Sequence, residues 1–279
     1  MNRLFPPKDW FKDFPIEWWT CSKCGWLRAD GIPFHRIKHW KFLCEYCYQK
    51  ENNMKWILKV LIGSRAHGLN TEQSDYDYRG VFIQPTEEIL SLGGKVKTTH
   101  WIEGKELDKS GRIEDDTAWE IGHFLQMATQ CNPTILEVFS APVVNSTGEG
   151  LELRSLFSYF LDAKKIATSF IGYGHNQRKK LLEDKDDKPN KFASAYLRVL
   201  IQAEELLNTG NMRVDMRDHK HYDTLLDIRN NKLSHGEIID ICIIYEDLIR
   251  KAETKCKFTQ SIDKINEFLV NIRKSYWNI

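Results

Sequence analysis

The sequence predicts an α+β protein with three parts: a small N-terminal ribbon, a core with a short mixed β-sheet and flanking helices, and a helical C-terminal domain. Three observations predict this class. Two Cys-x-x-Cys pairs lie in an aromatic-rich N-terminal segment, short apolar runs that end at Gly or Pro occupy the middle, and segments of helical periodicity follow. We therefore expect the domains to be residues 1–53, 54–150 and 151–279.

The composition excludes several classes of protein. With 42% hydrophobic residues in a chain of 279, the protein can bury a sizeable core, and its net charge of +1 gives no indication of the kind of partner. No apolar run reaches the roughly 20 residues of a membrane-spanning helix. The prolines and charges of residues 1–15 are unlike a signal peptide. We expect a cytoplasmic protein with reduced cysteines and no membrane partner.

The N-terminal cysteines have the spacing of a zinc site. Cys21 and Cys24 form one pair, Cys44 and Cys47 form the other, and each pair lets one tight turn direct two thiolates at the same point. Zinc would supply the folding energy that this segment lacks, because it has few aliphatic residues. The pattern predicts a structural Zn²⁺ ion in a zinc ribbon. The interleaved basic and aromatic residues 36–41 would suit contacts with nucleic acid; the alternative is that Trp18, Trp19, Trp26 and Trp40 cover the zinc site or dock on the next domain.

Two apolar runs in the middle of the chain predict strands. KWILKVLI at residues 55–62 is rich in aliphatic residues and ends at Gly-Ser, and YRGVFIQP at residues 78–85 ends at a proline. Residues 99–116 are polar around a Lys-Ser-Gly sequence, which favours a hairpin with a solvated tip. The predicted sheet is therefore built from short strands joined by turns.

Helical patterns begin at residue 117. Residues 117–130, TAWEIGHFLQMATQ, have an apolar face, and Thr117 and Glu120 have the spacing of a capping box. The Cys-Asn-Pro sequence at residues 131–133 is expected to end this helix. The charged stretch at residues 182–191 predicts a solvated linker. Further amphipathic segments predict helices at residues 153–174, 191–210, 235–255 and 262–277.

The segment GSRAHGLNTEQSDYDYRGVFI, residues 63–83, carries the candidate chemistry. Asp75 and Asp77 are two positions apart at a predicted strand, so their side chains would point to the same side. Adjacent carboxylates repel unless a cation lies between them, and Mg²⁺ accepts carboxylate and phosphate oxygens together. At the Gly63-Ser64 turn, backbone N–H groups can approach a phosphate and serine adds a hydroxyl donor. The combination indicates a site for a nucleoside triphosphate.

This segment resembles the nucleotidyltransferases of the DNA polymerase β superfamily, whose signature is an apolar strand, Gly-Ser, a spacer and Asp-x-Asp. The resemblance extends to a subgroup linked to RNA repair, which is similar at GSRAHGL, SDYDYRGVF and NPTILEVFSAP. In the C-terminal half it is similar at FIGYGHNQRKKL, KFASAYLRVLIQAEELLNTG and LLDIRNNKLS. The resemblance covers residues 54–252 and does not include the zinc module. It implies a nucleotidyltransferase core at residues 54–150.

The resemblance also implies a third metal-binding carboxylate on a neighbouring strand. The candidates are Glu114, Asp115 and Asp116, and the spacing to the following helix favours Asp115, with Asp116 as the alternative. The catalytic residues would then be Asp75, Asp77 and Asp115. Together they would hold two Mg²⁺ ions, or Mn²⁺ in their place.

The same resemblance implies a set of residues that bind the nucleotide. These are Gly63, Ser64, Arg65, Lys191 and Arg198. The first three would contact the triphosphate, and the last two match basic positions of a helix in the family. The sequence departs from the family pattern at Ala195, where a histidine is expected, so two solvated helix charges are the alternative for that helix.

We therefore expect metal-dependent transfer of a nucleoside monophosphate from an NTP to an RNA or tRNA end, with release of pyrophosphate. One alternative keeps the enzyme and makes a protein side chain the acceptor, as in antitoxin-type relatives. Another is a non-catalytic, zinc-dependent nucleic-acid-binding protein. The complete Gly-Ser and Asp-x-Asp motifs favour an enzyme.

Overall fold

The computed structural model describes residues 34–38, 41–44, 55–94, 96, 98–100, 117–183 and 189–277. Its strands are β1 Phe34–Lys38, β2 Lys41–Cys44, β3 Lys55–Ile62, β4 Asp77–Ile83, β5 Thr98–His100, β6 Thr117–Glu120 and β7 Val143–Ser146. Its helices are α1 Gly63–Ala66, α2 Thr86–Leu90, α3 Ile121–Ala128, α4 Pro133–Ser140, α5 Gly148–Ser155, α6 Ala163–Leu182, α7 Pro189–Thr209, α8 Tyr222–Arg229, α9 His235–Lys255 and α10 Ile262–Ser275. A short 3₁₀ helix, Phe157–Phe160, lies between α5 and α6.

The predicted short mixed sheet is present. Its strand order is β5-β6-β4-β3-β7, and a separate antiparallel hairpin joins β1 to β2. The β4–β6 pair is parallel, whereas β3 pairs antiparallel with both β4 and β7. The sheet and the helical C-terminal half confirm the predicted α+β class.

The two faces of the sheet have different surroundings. In the β3–β4 ladder Ile62 pairs with Asp77 and Val60 pairs with Arg79, so these four side chains share one face. Val60 is fully buried there in the main hydrophobic core. The opposite face carries a smaller cluster around Phe82. The face that is packed by helices is therefore the face that presents Asp77.

The helices of the C-terminal half pack through close contacts. Gly174 of α6 faces Tyr196 of α7, and a Cβ at Gly174 would lie 3.1 Å from the tyrosine ring. Tyr196 is fully buried, and its hydroxyl donates a hydrogen bond to Glu246 of α9 at 2.9 Å. One continuous core includes residues on both sides of residue 150, such as Val60 and Leu200. Within the described residues, no helix has both the length and the apolar character needed to cross a bilayer.

The predicted helix at residues 117–130 begins later than expected. Thr117–Glu120 form β6, and the helix starts at Ile121. Thr117 does not start a capping box; instead the Glu120 side chain accepts a hydrogen bond from the Gly122 N–H at 2.7 Å. The alternation of Ala118 and Glu120, both fully buried, fits a strand, and parallel pairing with β4 outweighs the local helical pattern.

The predicted helix at residues 153–174 is divided into three elements. It covers the end of α5, the 3₁₀ helix and the first half of α6. Asp162 starts α6 anew, because its carboxylate accepts the Lys165 N–H at 2.9 Å. Phe139 of α4 packs on Phe157 and Phe160, with ring centroids 5.6 and 5.1 Å away. This aromatic cluster lies at the break in the helix.

Other predicted elements agree with the structure or lie outside it. β3 covers Lys55–Ile62 as expected, and α7 ends at Thr209, just before Gly210. Most of the predicted hairpin tip, residues 101–116, lies outside the described residues, as do residues 184–188 of the predicted linker. The flanking strands β5 and β6 pair antiparallel.

The last helix returns to the sheet. Arg273 of α10 donates two hydrogen bonds to Glu120, at 2.6 and 2.8 Å, and Glu120 is fully buried. Beyond the helix, the Tyr276 carbonyl accepts a hydrogen bond from the Thr86 N–H at 2.8 Å. The C-terminal helix thus holds both the end of β6 and the segment after β4.

Candidate active site

The Gly63-Ser64 turn lies directly beside Asp77. Gly63 follows the last residue of β3 and has a left-handed φ of +73°. A Cβ at this position would lie 3.1 Å from Asp77 Cγ and closer still to Oδ2. Both the backbone conformation and the proximity of the carboxylate require glycine. The turn is closed by hydrogen bonds from the His67 N–H to the Gly63 carbonyl, at 3.0 Å, and from the Leu69 N–H to the Ser64 carbonyl, at 2.9 Å.

Asp75 lies in the loop that leads into β4. The strand begins at Asp77, so only one of the two carboxylates belongs to it, which differs from the expected arrangement. The rings of Tyr76 and Tyr78 are stacked, with centroids 6.5 Å apart and planes 16° apart. Because these two rings share a side, the alternation of the strand extends back through residue 76. Asp77 therefore points to the face opposite Tyr78, whereas Asp75 precedes the strand and is exposed.

The Arg65 side chain is turned toward this loop. Its Nε–H and Nη2–H donate to the Ser74 carbonyl at 3.0 and 2.7 Å. Its guanidinium carbon lies 4.1 Å from the centroid of the Tyr76 ring. Arg65 is predicted to bind the triphosphate, and its Nε and Nη2 donors have partners within the loop.

A buried pair of polar side chains lies behind the turn. His67 Nε2 contacts Glu137 Oε1, and both residues are buried. Burial, together with the charge of Arg198, lowers the pKa of His67. Burial raises the pKa of Glu137, but the interaction with His67 and the charges of Arg198 and Arg79 outweigh it and hold that pKa at about 2. We therefore assign a neutral imidazole that donates its Nε2–H to a carboxylate.

The two basic residues predicted on α7 have different environments. Arg198 is partly buried and close enough to the His67–Glu137 pair to affect both pKa values. Its Nη1–H donates to Gln202 at 2.8 Å. Lys191 is exposed and lies about 10 Å from Arg198 along the helix axis, given a rise of about 1.5 Å per residue. The structure thus places Arg198 near the turn, and Lys191 lies farther along the same helix.

The segment between α7 and α8 covers the other side of the turn. The Met216 N–H donates to the His67 carbonyl at 3.1 Å, and the Tyr222 hydroxyl donates to the Gly68 carbonyl at 2.8 Å. The Asp215–Arg217 ion pair also lies against Gly68, where a Cβ would be 3.1 Å from Asp215 Oδ1. The C-terminal half therefore contacts the Gly-Ser turn through backbone and side-chain bonds.

Several predicted ligands lie outside the described residues. These are Asp115, Asp116, Cys21, Cys24 and Cys47. Cys44 ends β2, where only the backbone is described. Within the part of the chain that the structure describes, no three His, Cys, Asp or Glu side chains form a metal site. The third carboxylate and the zinc site remain predictions.

The residues that are described fit a divalent cation and a phosphate. Asp75 and Asp77 offer only hard carboxylate oxygens, which are the ligands that Mg²⁺ prefers. The space over Gly63 that a Cβ would fill lies directly beside the Asp77 carboxylate. A cation held by Asp77 would therefore lie close to the backbone of the Gly-Ser turn.

Comparison with known proteins agrees with this geometry. A family model described as the RNA repair pathway DNA polymerase beta family, RlaP, matches residues 47–270. The chain belongs to this family. The predicted resemblance to the DNA polymerase β superfamily and its RNA repair subgroup is confirmed. The RlaP match includes the sheet, the Gly-Ser turn and most of the C-terminal helices.

Two individual relatives are more distant. An uncharacterized 38.9 kDa protein of Enterobacteria phage T4, from the nrdC-mobD intergenic region, is 26% identical over 138 residues. That match covers 46% of this chain and only 39% of the phage protein. A nucleotidyltransferase-like protein from Exiguobacterium sibiricum 255-15, known from a crystal structure, is 9% identical in sequence. The match covers 83% of this chain and 78% of the chain of that protein, with a TM-score of 0.27.

The sequence reasoning missed the role of Glu137. This residue lies in PTILEVFS, where it is the only charged side chain in an apolar helix. A single carboxylate among buried positions needs a partner, because an unpaired buried charge is costly. That signal was present, but the identity of the partner, His67, depends on how α4 packs against the turn.

Proposed function

We propose that this protein transfers a nucleoside monophosphate from an NTP to an RNA or tRNA end, with release of pyrophosphate and dependence on Mg²⁺ or Mn²⁺. The position of the Asp77 carboxylate against the Gly63 backbone carries the proposal. It brings a metal-binding group and a phosphate-binding turn together, as in-line attack on an α-phosphate requires. Membership of the RNA repair family supports an RNA acceptor.

The residues of the chain have distinct parts in this proposal. The Gly63 and Ser64 backbone, with the Ser64 hydroxyl, would hold the triphosphate, and Asp75 and Asp77 would hold the metal. When bound, the metal supplies positive charge that stabilises the phosphoryl oxygens and the leaving group. Asp115 is the proposed third carboxylate, and from that position it would accept the proton of the attacking hydroxyl.

Arg198 gives the C-terminal domain a part in the site. Its charge lies near the Gly-Ser turn and is balanced by the buried Glu137 carboxylate. In the proposal this guanidinium adds positive potential where a triphosphate would lie. Lys191 is exposed on the same helix and would contact the outer end of the triphosphate or the acceptor.

A labelled-nucleotide assay tests this function. The full chain is incubated with each α-labelled NTP, Mg²⁺ or Mn²⁺, and total RNA, tRNA or cell protein. We expect label in RNA, and we expect Asp77→Asn to lower the rate by at least about 100-fold, since it removes a metal ligand beside the reacting phosphate. Asp240→Asn, at an exposed position on α9, is the matched control and should leave the rate unchanged.

The products separate the possible acceptors. Label in protein would replace RNA by a protein side chain as the acceptor. Equal transfer by the Asp77→Asn and wild-type proteins would contradict the proposed site. If no NTP is consumed with any acceptor, nucleotide transfer itself is refuted.

We also propose that Cys21, Cys24, Cys44 and Cys47 bind one structural Zn²⁺. The pair spacing and the thiolate chemistry support it. Zinc measured by elemental analysis should be one equivalent per chain and should fall when Cys21 and Cys24 are both replaced by serine. An unchanged zinc content in that variant would refute the site.

A further inference from the structure

We propose that Arg65 is a positioning residue that holds Asp75 at the metal-binding side, and that it does not bind the triphosphate. This inference rests on the proposed function, because it assigns a metal-binding role to Asp75. It replaces the role that the family resemblance implies for Arg65. The contacts of the guanidinium carry the argument.

The first contact fixes the backbone on one side of Asp75. Two donors of Arg65 converge on the Ser74 carbonyl, at 3.0 and 2.7 Å, and Nη2 also lies 3.5 Å from the Glu72 carbonyl. Ser74 is itself held in a turn, since its N–H donates to the Thr71 carbonyl at 3.1 Å and its Oγ accepts the Thr71 N–H at 2.9 Å. Charge-assisted hydrogen bonds of this kind are stronger than neutral ones.

The second contact fixes the residue on the other side. The Arg65 guanidinium lies over the Tyr76 ring at 4.1 Å, within the range of a cation–π interaction. Tyr76 stacks on Tyr78, and Lys59 Nζ lies 4.2 Å from the centroid of the Tyr78 ring. The two rings thus lie between the cations of Arg65 and Lys59, and this stack connects the loop to the sheet. One side chain therefore holds both neighbours of Asp75.

This arrangement answers a physical need of the loop. Residues 70–73 are exposed, and Asp75 lies outside the strand, so ladder hydrogen bonds do not fix it. A metal ligand must be held within about 0.5 Å of its working position. Asp77 meets this requirement through its strand and its contact with Gly63. Asp75 depends on Arg65 for the same purpose.

The contacts also limit what else Arg65 can do. Nε and Nη2 are engaged by Ser74, and the face of the guanidinium is covered by Tyr76. A bidentate grip on phosphate through Nε and Nη2 would have to break these contacts. The short helix α1 therefore serves both aspartates: Gly63 contacts Asp77, and Arg65 holds the neighbours of Asp75.

Metal binding tests the assignment without a known acceptor. The affinity of the full chain for Mn²⁺ is measured by the loss of the free Mn²⁺ signal in electron paramagnetic resonance, and ATP binding is measured separately in EDTA. We expect Arg65→Gln to weaken Mn²⁺ binding by about 10-fold, the lower end of the range for residues that support a metal ligand. The Arg65→Gln/Asp75→Asn double variant should bind no more weakly than Asp75→Asn alone. ATP binding without metal should not change.

Control variants distinguish an effect on folding from an effect on the position of Asp75. Arg250→Gln, an exposed arginine on α9, should bind Mn²⁺ like the wild type. Arg65→Lys keeps the charge but loses the planar fork, so its affinity should be intermediate. If Arg65→Gln does not fold, Tyr76→Leu removes the ring contact alone and should still weaken Mn²⁺ binding.

Two results would overturn the inference in different ways. In the first, Asp75→Asn and Asp77→Asn weaken Mn²⁺ binding, whereas Arg65→Gln leaves Mn²⁺ binding unchanged and weakens metal-free ATP binding. Arg65 would then be a phosphate ligand, and the proposed function would stand. If Mn²⁺ binding by the wild-type protein does not depend on either aspartate, the proposed function and the role of Arg65 fail together.

Discussion

Replacing Gly63 by alanine should damage the site much more than the fold. The added methyl group meets two obstacles. The backbone has a φ of +73°, which costs an L-residue about 1–2 kcal/mol. The Cβ would also lie 3.1 Å from Asp77 Cγ and closer to its Oδ2, so the carboxylate must move.

These two costs have different consequences. The backbone cost lowers the melting temperature by about 2–4 °C for each kcal/mol in a protein of roughly this size. The displacement of Asp77 acts on the reaction, where a misplacement of about 1 Å can cost on the order of 100-fold in rate. We therefore expect a moderate loss of stability together with a loss of about 100-fold in metal-dependent nucleotide transfer.

Gly93 provides a matched control. It has a φ of +81°, but a Cβ there would meet no atom within 4 Å. Gly93→Ala should therefore show a similar shift in melting temperature by calorimetry and normal transfer of labelled NTP. The reasoning is refuted if Gly63→Ala and Gly93→Ala have the same activity, or if Gly63→Ala loses activity only in proportion to its unfolded fraction.

Two buried carboxylates give further predictions. Glu137→Gln should lower the free energy of unfolding in urea by about 1–3 kcal/mol, because a neutral amide oxygen accepts the His67 Nε2–H more weakly than a carboxylate does and no longer balances the charge of Arg198. The pKa values of His67 and Glu137 are both lowered in the folded state, so their contribution to the free energy of unfolding is complete above pH 6.5. This contribution is lost as the pH falls, first as His67 is protonated and then, between pH 4.5 and about 2, as Glu137 is protonated. Acid titration of the wild type should show this loss, and Glu137→Gln should lack the lower step; a parallel pH profile in the variant would contradict the assignment. Arg273→Ala leaves the Glu120 carboxylate buried without its guanidinium and should lower the free energy of unfolding by about 3–5 kcal/mol in the same urea assay. Lys274→Ala, the control, should lower it only slightly. Equal effects of the two substitutions would refute the importance of the Arg273–Glu120 pair.

The strands next to the site could be predicted from local sequence. KWILKVLI is a continuous apolar run that ends at a glycine, and β3 has the expected bounds. The glycine and Asp77 also came together as expected, because antiparallel pairing places the end of one strand beside the start of the next. Here the local pattern and the tertiary structure agree, so short-range information was sufficient.

The parts that could not be predicted depend on contacts distant in sequence. Thr117–Glu120 have a helical pattern but pair with β4 as a strand. The partner of Glu137 lies 70 positions away, and no periodicity connects it to His67. Arg65 has the position of a phosphate ligand in sequence, yet its direction is decided by the fold of the loop that ends at Tyr76.

The return of the last helix to the sheet has a consequence for the synthesis of the protein. Arg273 and Glu120 are 153 positions apart, so the ribosome makes the turn and both aspartates long before the guanidinium that neutralises Glu120. The hydrogen bond from the Thr86 N–H to the Tyr276 carbonyl likewise forms only after residue 276 has been synthesised. We expect the nascent chain to stay inactive until residues 273–277 have been translated, although every residue of the Gly-Ser and Asp-x-Asp motifs emerges early.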